Sequence, residues 1–309
     1  MTAMSGPVQA EDVAQDSPDQ GLGVDVWTGR VTDVGGIPVH RALPRRGRRM
    51  VGAWCFLDRF GPVGVLPDRT MTVGPHPHIG LHTVTWLLDG EVEHSDSFGN
   101  RQMIRRGELN LMTAGNGIAH AEDARAQRGG SLNGVQLWVA QPEATRHGPS
   151  AFAHHAELPD VELGSGRATV LLGQLGGLRS PVSVDSPLVG VDITAAGAVE
   201  IPVETTFEHG VAVLSGELTV AGTAVDTNQF VYLGTDRASI NIDFGPGARV
   251  LLLGGEPFES EVLMWWNFVA RDRAELERAR DDWTSNSGRF GHVDSTLATI
   301  AAPRPYWLA

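Results

Sequence analysis

The chain has 309 residues, with 24 basic against 37 acidic side chains for a net charge of -13, 41% hydrophobic residues, eleven histidines and one cysteine. That is enough chain for two compact domains. The lone cysteine excludes an internal disulfide or a thiolate zinc cage, so any metal must be held by nitrogen and oxygen, and the acidic balance argues against direct contact with nucleic acid. Every basic residue is arginine, which also excludes Schiff-base and P-loop lysine chemistry.

Residues 1–22, rich in Asp, Gln, Ser, Gly and Pro, carry neither a basic start nor an apolar core and read as a disordered tail rather than a signal peptide. No later apolar run approaches the roughly 20 residues needed to span a bilayer, so a cytoplasmic protein without membrane contact is expected. From Val24 to about Leu253, short β-rich runs alternate with Gly, Pro, Asn and Asp, the pattern of a sandwich or barrel.

Thr83 to Leu88, Asp89-Gly90 and Glu91 to His94 read as a tight hairpin, followed by turns at Gly99-Asn100 and Arg106-Gly107. The same layout recurs at Val211 to Leu214, Ser215-Gly216 and Glu217 to Val220, with a further turn at Ala221-Gly222. Aligning Gly90 with Gly216 sets Pro202 and Glu204 where the first half has His76 and His78.

These elements predict an all-β chain of two tandem barrels, over 23–145 and 146–265, the first histidine-rich and the second without those histidines. Gln141 to Pro159, with His147, His154 and His155, forms the link between them. A short helix and tail fill 266–309: Asp272 and Glu275 have capping-box spacing before a helix-forming run to Trp283.

The chemistry concentrates in Gly74-Pro75-His76-Pro77-His78-Ile79-Gly80 and, further on, Thr113-Ala114-Gly115-Asn116-Gly117-Ile118-Ala119-His120-Ala121-Glu122. On a strand, residues i and i+2 share a face, so His76 falls with His78 and His120 with Glu122. On neighbouring strands, three imidazoles and one carboxylate would converge, a donor set suited to Fe(II), Mn(II), Ni(II), Cu(II) or Zn(II). Four protein ligands on an octahedral ion leave two open positions, which suits catalysis.

The segments HPHIGLHTVTWLLDGEVEHSDSFGN and MTAGNGIAHAE, with VGAWCFLDRFGP upstream and WWNFVARDRAELERARDDW downstream, resemble the pirin family of the cupin superfamily. The resemblance runs in order from about Val24 to Trp283. It implies two cupin barrels of jelly-roll type, a bicupin, with one metal, usually iron, in the N-terminal barrel, held by His76, His78, His120 and Glu122.

It also implies either a quercetinase, opening a flavonol ring with dioxygen, or a nuclear cofactor of transcription factors. Where many pirins have Arg-Gly-Phe-Glu after the second histidine, this chain has Ile79-Gly80-Leu81-His82. His82 stands where many cupins place a ligand glutamate, so it is a fifth donor or a pocket-lining residue, and the pocket reading is preferred.

The expected function is therefore a metal-dependent oxidoreductase acting on a flavonol-like small molecule and dioxygen, with Fe(II) the expected ion and Glu122, the one carboxylate of the set, the proton acceptor. The alternative is an iron-binding, redox-sensing regulator that acts through a protein partner. A monomer is expected, because one barrel can pack on the other within the chain.

Of the remaining candidates, His94 reads as a structural hydrogen-bonding residue and Cys55 as a buried small hydrophobe. The Arg45, Arg46, Arg48, Arg49 group reads as a solvated loop, and at least one of Trp265 and Trp266 as core. His209 reads as a non-ligand.

Overall fold

The structure is a computed structural model that describes residues 23–65, 71–124 and 130–308; the tail expected over 1–22 lies outside the described residues. The strands of the first half are β1 (Asp25–Thr28), β2 (Arg30–Val34), β3 (Ile37–Leu43), β4 (Trp54–Gly64), β5 (Thr72–His78), β6 (Leu81–Asp89), β7 (Glu91–Asp96), β8 (Arg101–Arg105), β9 (Leu109–Thr113), β10 (Ile118–Asp123), β11 (Ser131–Ala140) and β12 (Ala151–His155). Those of the second are β13 (Asp160–Leu163), β14 (Gly166–Leu172), β15 (Gln174–Leu175), β16 (Leu178–Arg179), β17 (Leu188–Thr194), β18 (Gly197–Pro202), β19 (Glu208–Ser215), β20 (Leu218–Val220), β21 (Thr223–Val225), β22 (Gln229–Gly234), β23 (Ser239–Phe244) and β24 (Arg249–Gly255). The chain closes with β25 (Leu263–Trp265), β26 (Phe268–Ala270) and the helix α1 (Arg273–Thr284).

Each half builds one seven-stranded and one four-stranded antiparallel sheet. The first half gives β12-β9-β6-β11-β4-β3-β2 with β5-β10-β7-β8, and the second gives β1-β22-β19-β24-β17-β14-β13 with β18-β23-β20-β21. The two halves match strand for strand, so β5 corresponds to β18 and β10 to β23. The outer strands are exchanged: β1, at the start of the described chain, pairs with β22 of the second barrel, and β12, from the linking segment, pairs with β9 of the first.

The expected hairpin at Asp89-Gly90 is a corner instead. β6 pairs with β9 and β11, whereas β7 pairs with β8 and β10. Gly90, at φ 89°, turns the chain from one sheet into the other, a backbone conformation that L side chains rarely adopt. The hairpin lies one turn later, where Glu91 faces Arg105 across Gly99-Asn100.

The two large sheets pack face to face. Val84, Trp86, Leu88, Val135 and Leu137 of the first sheet meet Leu171, Leu188, Ala212, Leu214, Phe230 and Leu251 of the second in one buried cluster. Trp54 sits at its centre with no exposed surface, its indole N–H shared between the carbonyls of Val189 and Gly254, each at 3.2 Å.

Two residues of the arginine loop clasp the second barrel. Arg45 lies over Trp27 and pairs with Asp25, and Arg48 lies over Tyr232 and pairs with Glu208. The loop expected to be solvated is thus partly a contact between barrels.

Helix α1 starts as its sequence predicts, with the Asp272 carboxylate accepting from the Glu275 amide at 2.8 Å. Cys55 is fully buried, and burial pushes its thiol pKa up to about 12, as befits a small apolar residue. Trp265 and Trp266 are both buried. No helix among the described residues is long and apolar enough to cross a membrane.

Candidate metal centre

Strand β5 is buried almost throughout and runs antiparallel to β10, with His78 opposite Ile118 and His76 opposite His120. Alternation puts His76 and His78 on one face, and the register brings His120 onto it from the next strand. The donor atoms of His76, His78 and His120 all lie within 4.8 Å of one another, and all three residues are buried. The ring centroids are 4.3 Å apart for His76 and His120, and 5.0 Å for His78 and His120.

Glu122 follows a bulge in β10, which shifts it opposite Val73. It is buried and lines the same cavity, but its carboxylate is not within the histidine cluster. The Thr85 hydroxyl approaches its Oε1 at 3.5 Å.

Main-chain groups orient two of the rings. His76 Nδ1 lies 2.9 Å from the Gly74 carbonyl and His78 Nδ1 lies 3.0 Å from the Asn267 carbonyl. A carbonyl only accepts, so both Nδ1 atoms carry the proton and both Nε2 atoms keep a lone pair. His78 Nε2 then faces His120 Nε2 at 3.1 Å. Where His120 Nε2 also keeps its lone pair, no proton lies between the two nitrogens, and a cation is the partner that satisfies both. The donor set therefore fits a divalent transition ion.

The local electrostatics agree. Burial lowers the His76 pKa to about 4 against the opposing Gly74 carbonyl, and burial followed by neighbouring imidazoles holds His78 and His120 well below their usual range. All three are neutral at pH 7, the form that ligates metal. Burial raises the Glu122 pKa, partly opposed by His94 and Thr85.

The cavity in front of the triad has a volume of about 80 Å³. Its walls include Phe56 stacked on Trp138 at 4.1 Å, Trp266, and Ile300 of the C-terminal segment. Arg41 and Asp58 line it as an ion pair, with Arg41 Nε and Nη2 at 2.8 and 2.7 Å from the carboxylate. Gly74 lets the C-terminal segment approach, since a Cβ there would stand 1.9 Å from the Ala298 carbonyl.

His82 is not brought to this cavity. On β6 the even-numbered side chains face the second barrel with Val84 and Trp86, so His82 Nε2 meets Asp185 Oδ2 at 3.0 Å and its Nδ1 meets Thr113 at 2.9 Å. The pocket role expected for His82 is replaced by a link between barrels. A larger cavity of about 550 Å³ opens in the second barrel beside Pro202 and Glu204, which the alignment of Gly90 with Gly216 sets against His76 and His78; both are exposed, and the inward face of β18 is formed by Val199 and Ile201.

Two residues outside the two histidine motifs support the triad. Asn267, in the turn between β25 and β26, is remote in sequence from the ring it holds, and nothing in its neighbourhood signals that role. His94 approaches His120 and was readable only as a hydrogen-bonding residue, although Val92, His94 and Asp96 alternate as the buried face of β7.

Two stacked jelly-roll barrels of matching strand order, with a histidine triad inside the first, place the chain among the bicupins. The Pirin family matches residues 36–139, and the Pirin C-terminal cupin domain matches residues 188–291. The chain belongs to the pirin family.

Among curated relatives, a Pseudomonas aeruginosa protein named "Putative quercetin 2,3-dioxygenase" is 44% identical over 91% of this chain and 90% of its own length. A Caulobacter vibrioides pirin-like protein is 35% identical over 87% and 96%. The crystal structure of quercetin 2,3-dioxygenase from Acinetobacter baumannii superposes with a TM-score of 0.87 at 43% identity, covering 91% of this chain and 95% of that one.

Proposed function

We propose that the chain is a metal-dependent dioxygenase of quercetinase type, acting on a flavonol-like small molecule with dioxygen. In this reading one divalent ion, Fe(II) by family resemblance, is held by His76, His78 and His120, and Glu122, the fourth ligand expected from the sequence, lines the same cavity with its carboxylate outside that cluster. The observation that carries the proposal is the buried, neutral imidazole triad whose Nε2 lone pairs converge on an aromatic-walled cavity. The names borne by the relatives in Pseudomonas and Acinetobacter support the substrate class.

When bound, such an ion supplies Lewis acidity and redox chemistry with dioxygen. The protein does the rest. Phe56, Trp138 and Trp266 offer flat apolar surface to a planar ring system and exclude water. Glu122, a buried carboxylate lining the same cavity, accepts the proton of the substrate hydroxyl. The Gly74 and Asn267 carbonyls keep the Nδ1 protons of His76 and His78 out of the cavity.

One observation favours the alternative, an iron-binding regulator that acts through a protein partner. The cavity of about 80 Å³ is well below the ~300 Å³ at which ligand pockets usually begin, so a flavonol enters only if the wall moves. The two readings separate on metal analysis combined with oxygen uptake in the presence of quercetin.

The dioxygenase reading expects about one metal per chain and quercetin-dependent uptake, both lost in His76→Ala and His120→Ala. Metal content unchanged by those substitutions sinks the site, and full occupancy without oxygen uptake favours the regulator.

A further inference from the structure

The third imidazole of the triad is oriented differently from the other two. His120 Nδ1 has no carbonyl to donate to; its neighbour is His94 Nδ1 at 3.3 Å. An imidazole nitrogen can donate or accept, so the state of His120 depends on the far side of the His94 ring.

There, His94 Nε2 lies 3.3 Å from Asp96 Oδ2. Asp96 is buried and already receives the amides of Phe98 and Asn100 at 2.9 and 3.1 Å and the Asn100 side-chain amide at 2.8 Å. A carboxylate surrounded by donors acts as an acceptor, so His94 Nε2 carries the proton and His94 Nδ1 is left to accept. His120 Nδ1 therefore donates, and its Nε2 lone pair is directed at His78. The His94 ring is held for this by stacking on Phe152, with centroids 4.4 Å apart and planes 15° from parallel.

We infer that His94 and Asp96 are positioning residues for the metal centre: a relay from Asp96 through His94 sets the tautomer and orientation of His120. The inference rests on the metal-site reading above. It accounts for a buried histidine and aspartate on the inward face of β7 that neither line the cavity nor belong to the donor set. Outer hydrogen bonds of this kind typically strengthen metal binding about 10–100-fold.

The test is Co(II) titration of the metal-free full chain, read by affinity and by the ligand-field spectrum. His94→Phe keeps the stack on Phe152 and removes the acceptor, whereas His94→Gln keeps an acceptor. Asp96→Asn keeps the shape and places a donor opposite His94, which reverses the relay.

The relay predicts that His94→Phe and Asp96→Asn weaken Co(II) binding about 10–100-fold and shift the spectrum. His94→Gln should stay within a few-fold of wild type, with the metal-free variants melting alike. A purely structural role predicts equal affinities for His94→Phe and His94→Gln and an unchanged spectrum, and that result overturns the inference. If His94→Phe fails to fold, Asp96→Asn carries the same comparison. Wild-type protein that binds no Co(II), or His76→Ala that binds it normally, overturns the metal-site reading and the relay with it; normal wild-type binding with unaffected relay variants overturns the relay alone.

Discussion

Within the cavity, Glu122 is chemically unlike its neighbours. The three imidazoles are neutral because burial lowers their pKa values, while the same burial raises that of Glu122. Under the dioxygenase reading, Glu122→Gln leaves the triad in place but removes the proton acceptor. Oxygen uptake with quercetin should fall by about 100-fold or more, while metal analysis still finds the ion on the three histidines. A raised pKa means that Glu122 takes up its proton at higher pH than an ordinary glutamate. In the metal-free protein, infrared titration of the Glu122 carboxyl should therefore show it protonating at higher pH than an exposed glutamate, and the opposite order would remove burial as the governing effect.

Two segments far from the histidine motifs in sequence shape the cavity and its surroundings. The segment after α1 returns across β5: the Ile300 amide donates to the Pro75 carbonyl at 2.9 Å and the Trp283 indole to the Ile300 carbonyl at 2.9 Å. Ile300 thereby becomes part of the cavity wall. Ile300→Ala should lower the KM for quercetin by widening that wall, at a cost of about 1–2 kcal/mol in urea unfolding because the side chain is only half-buried.

The loop between β16 and β17 supplies Asp185, whose Oδ2 receives His82, Gln141 and Thr145 at 3.0, 3.0 and 2.7 Å. Hydrogen bonding from His82, set against burial, holds its carboxyl well below the usual range. Asp185→Ala should cost about 1–3 kcal/mol, read from the urea midpoint, without changing metal content. A loss of metal would place His82 closer to the centre than its contacts indicate.

At the scale of the whole molecule, the first barrel holds the histidine triad and the second packs against it, and the second has its own acid sensitivity. His209 lies fully buried in the second barrel, where burial lowers its pKa to about 4 from 6.5. As pH falls below 6.5, the unfolded chain binds a proton that the folded chain refuses until about 4, so stability is complete above 6.5 and declines across that window. The loss is about 3 kcal/mol. Urea unfolding at pH 7 and pH 4.5 should show a shallower decline for His209→Leu than for wild type under the same metal conditions. Parallel declines would mean that His209 does not govern the window.

The all-β class, the internal duplication, the capped helix and the histidine positions are local or periodic features, and they were legible in the sequence. Alternation alone put His76 with His78, and the spacing of Asp272 and Glu275 placed the helix start. Pairing was not legible, because a strand does not encode its neighbours. The Gly90 corner looks like a hairpin until β6 and β7 are seen in different sheets, and β1 and β12 exchange barrels without any local sign.

The same holds at the centre. The sequence by itself determined which donors are present, since one cysteine and the two histidine motifs leave nitrogen and oxygen. Only the tertiary structure decided which of them meet and how they are held. It joined His76, His78 and His120, turned His82 toward Asp185, and set Asn267 and His94 behind the imidazoles. The physical reason is that hydrogen-bond direction and burial arise from contacts between segments remote in sequence, whereas donor chemistry belongs to each residue alone.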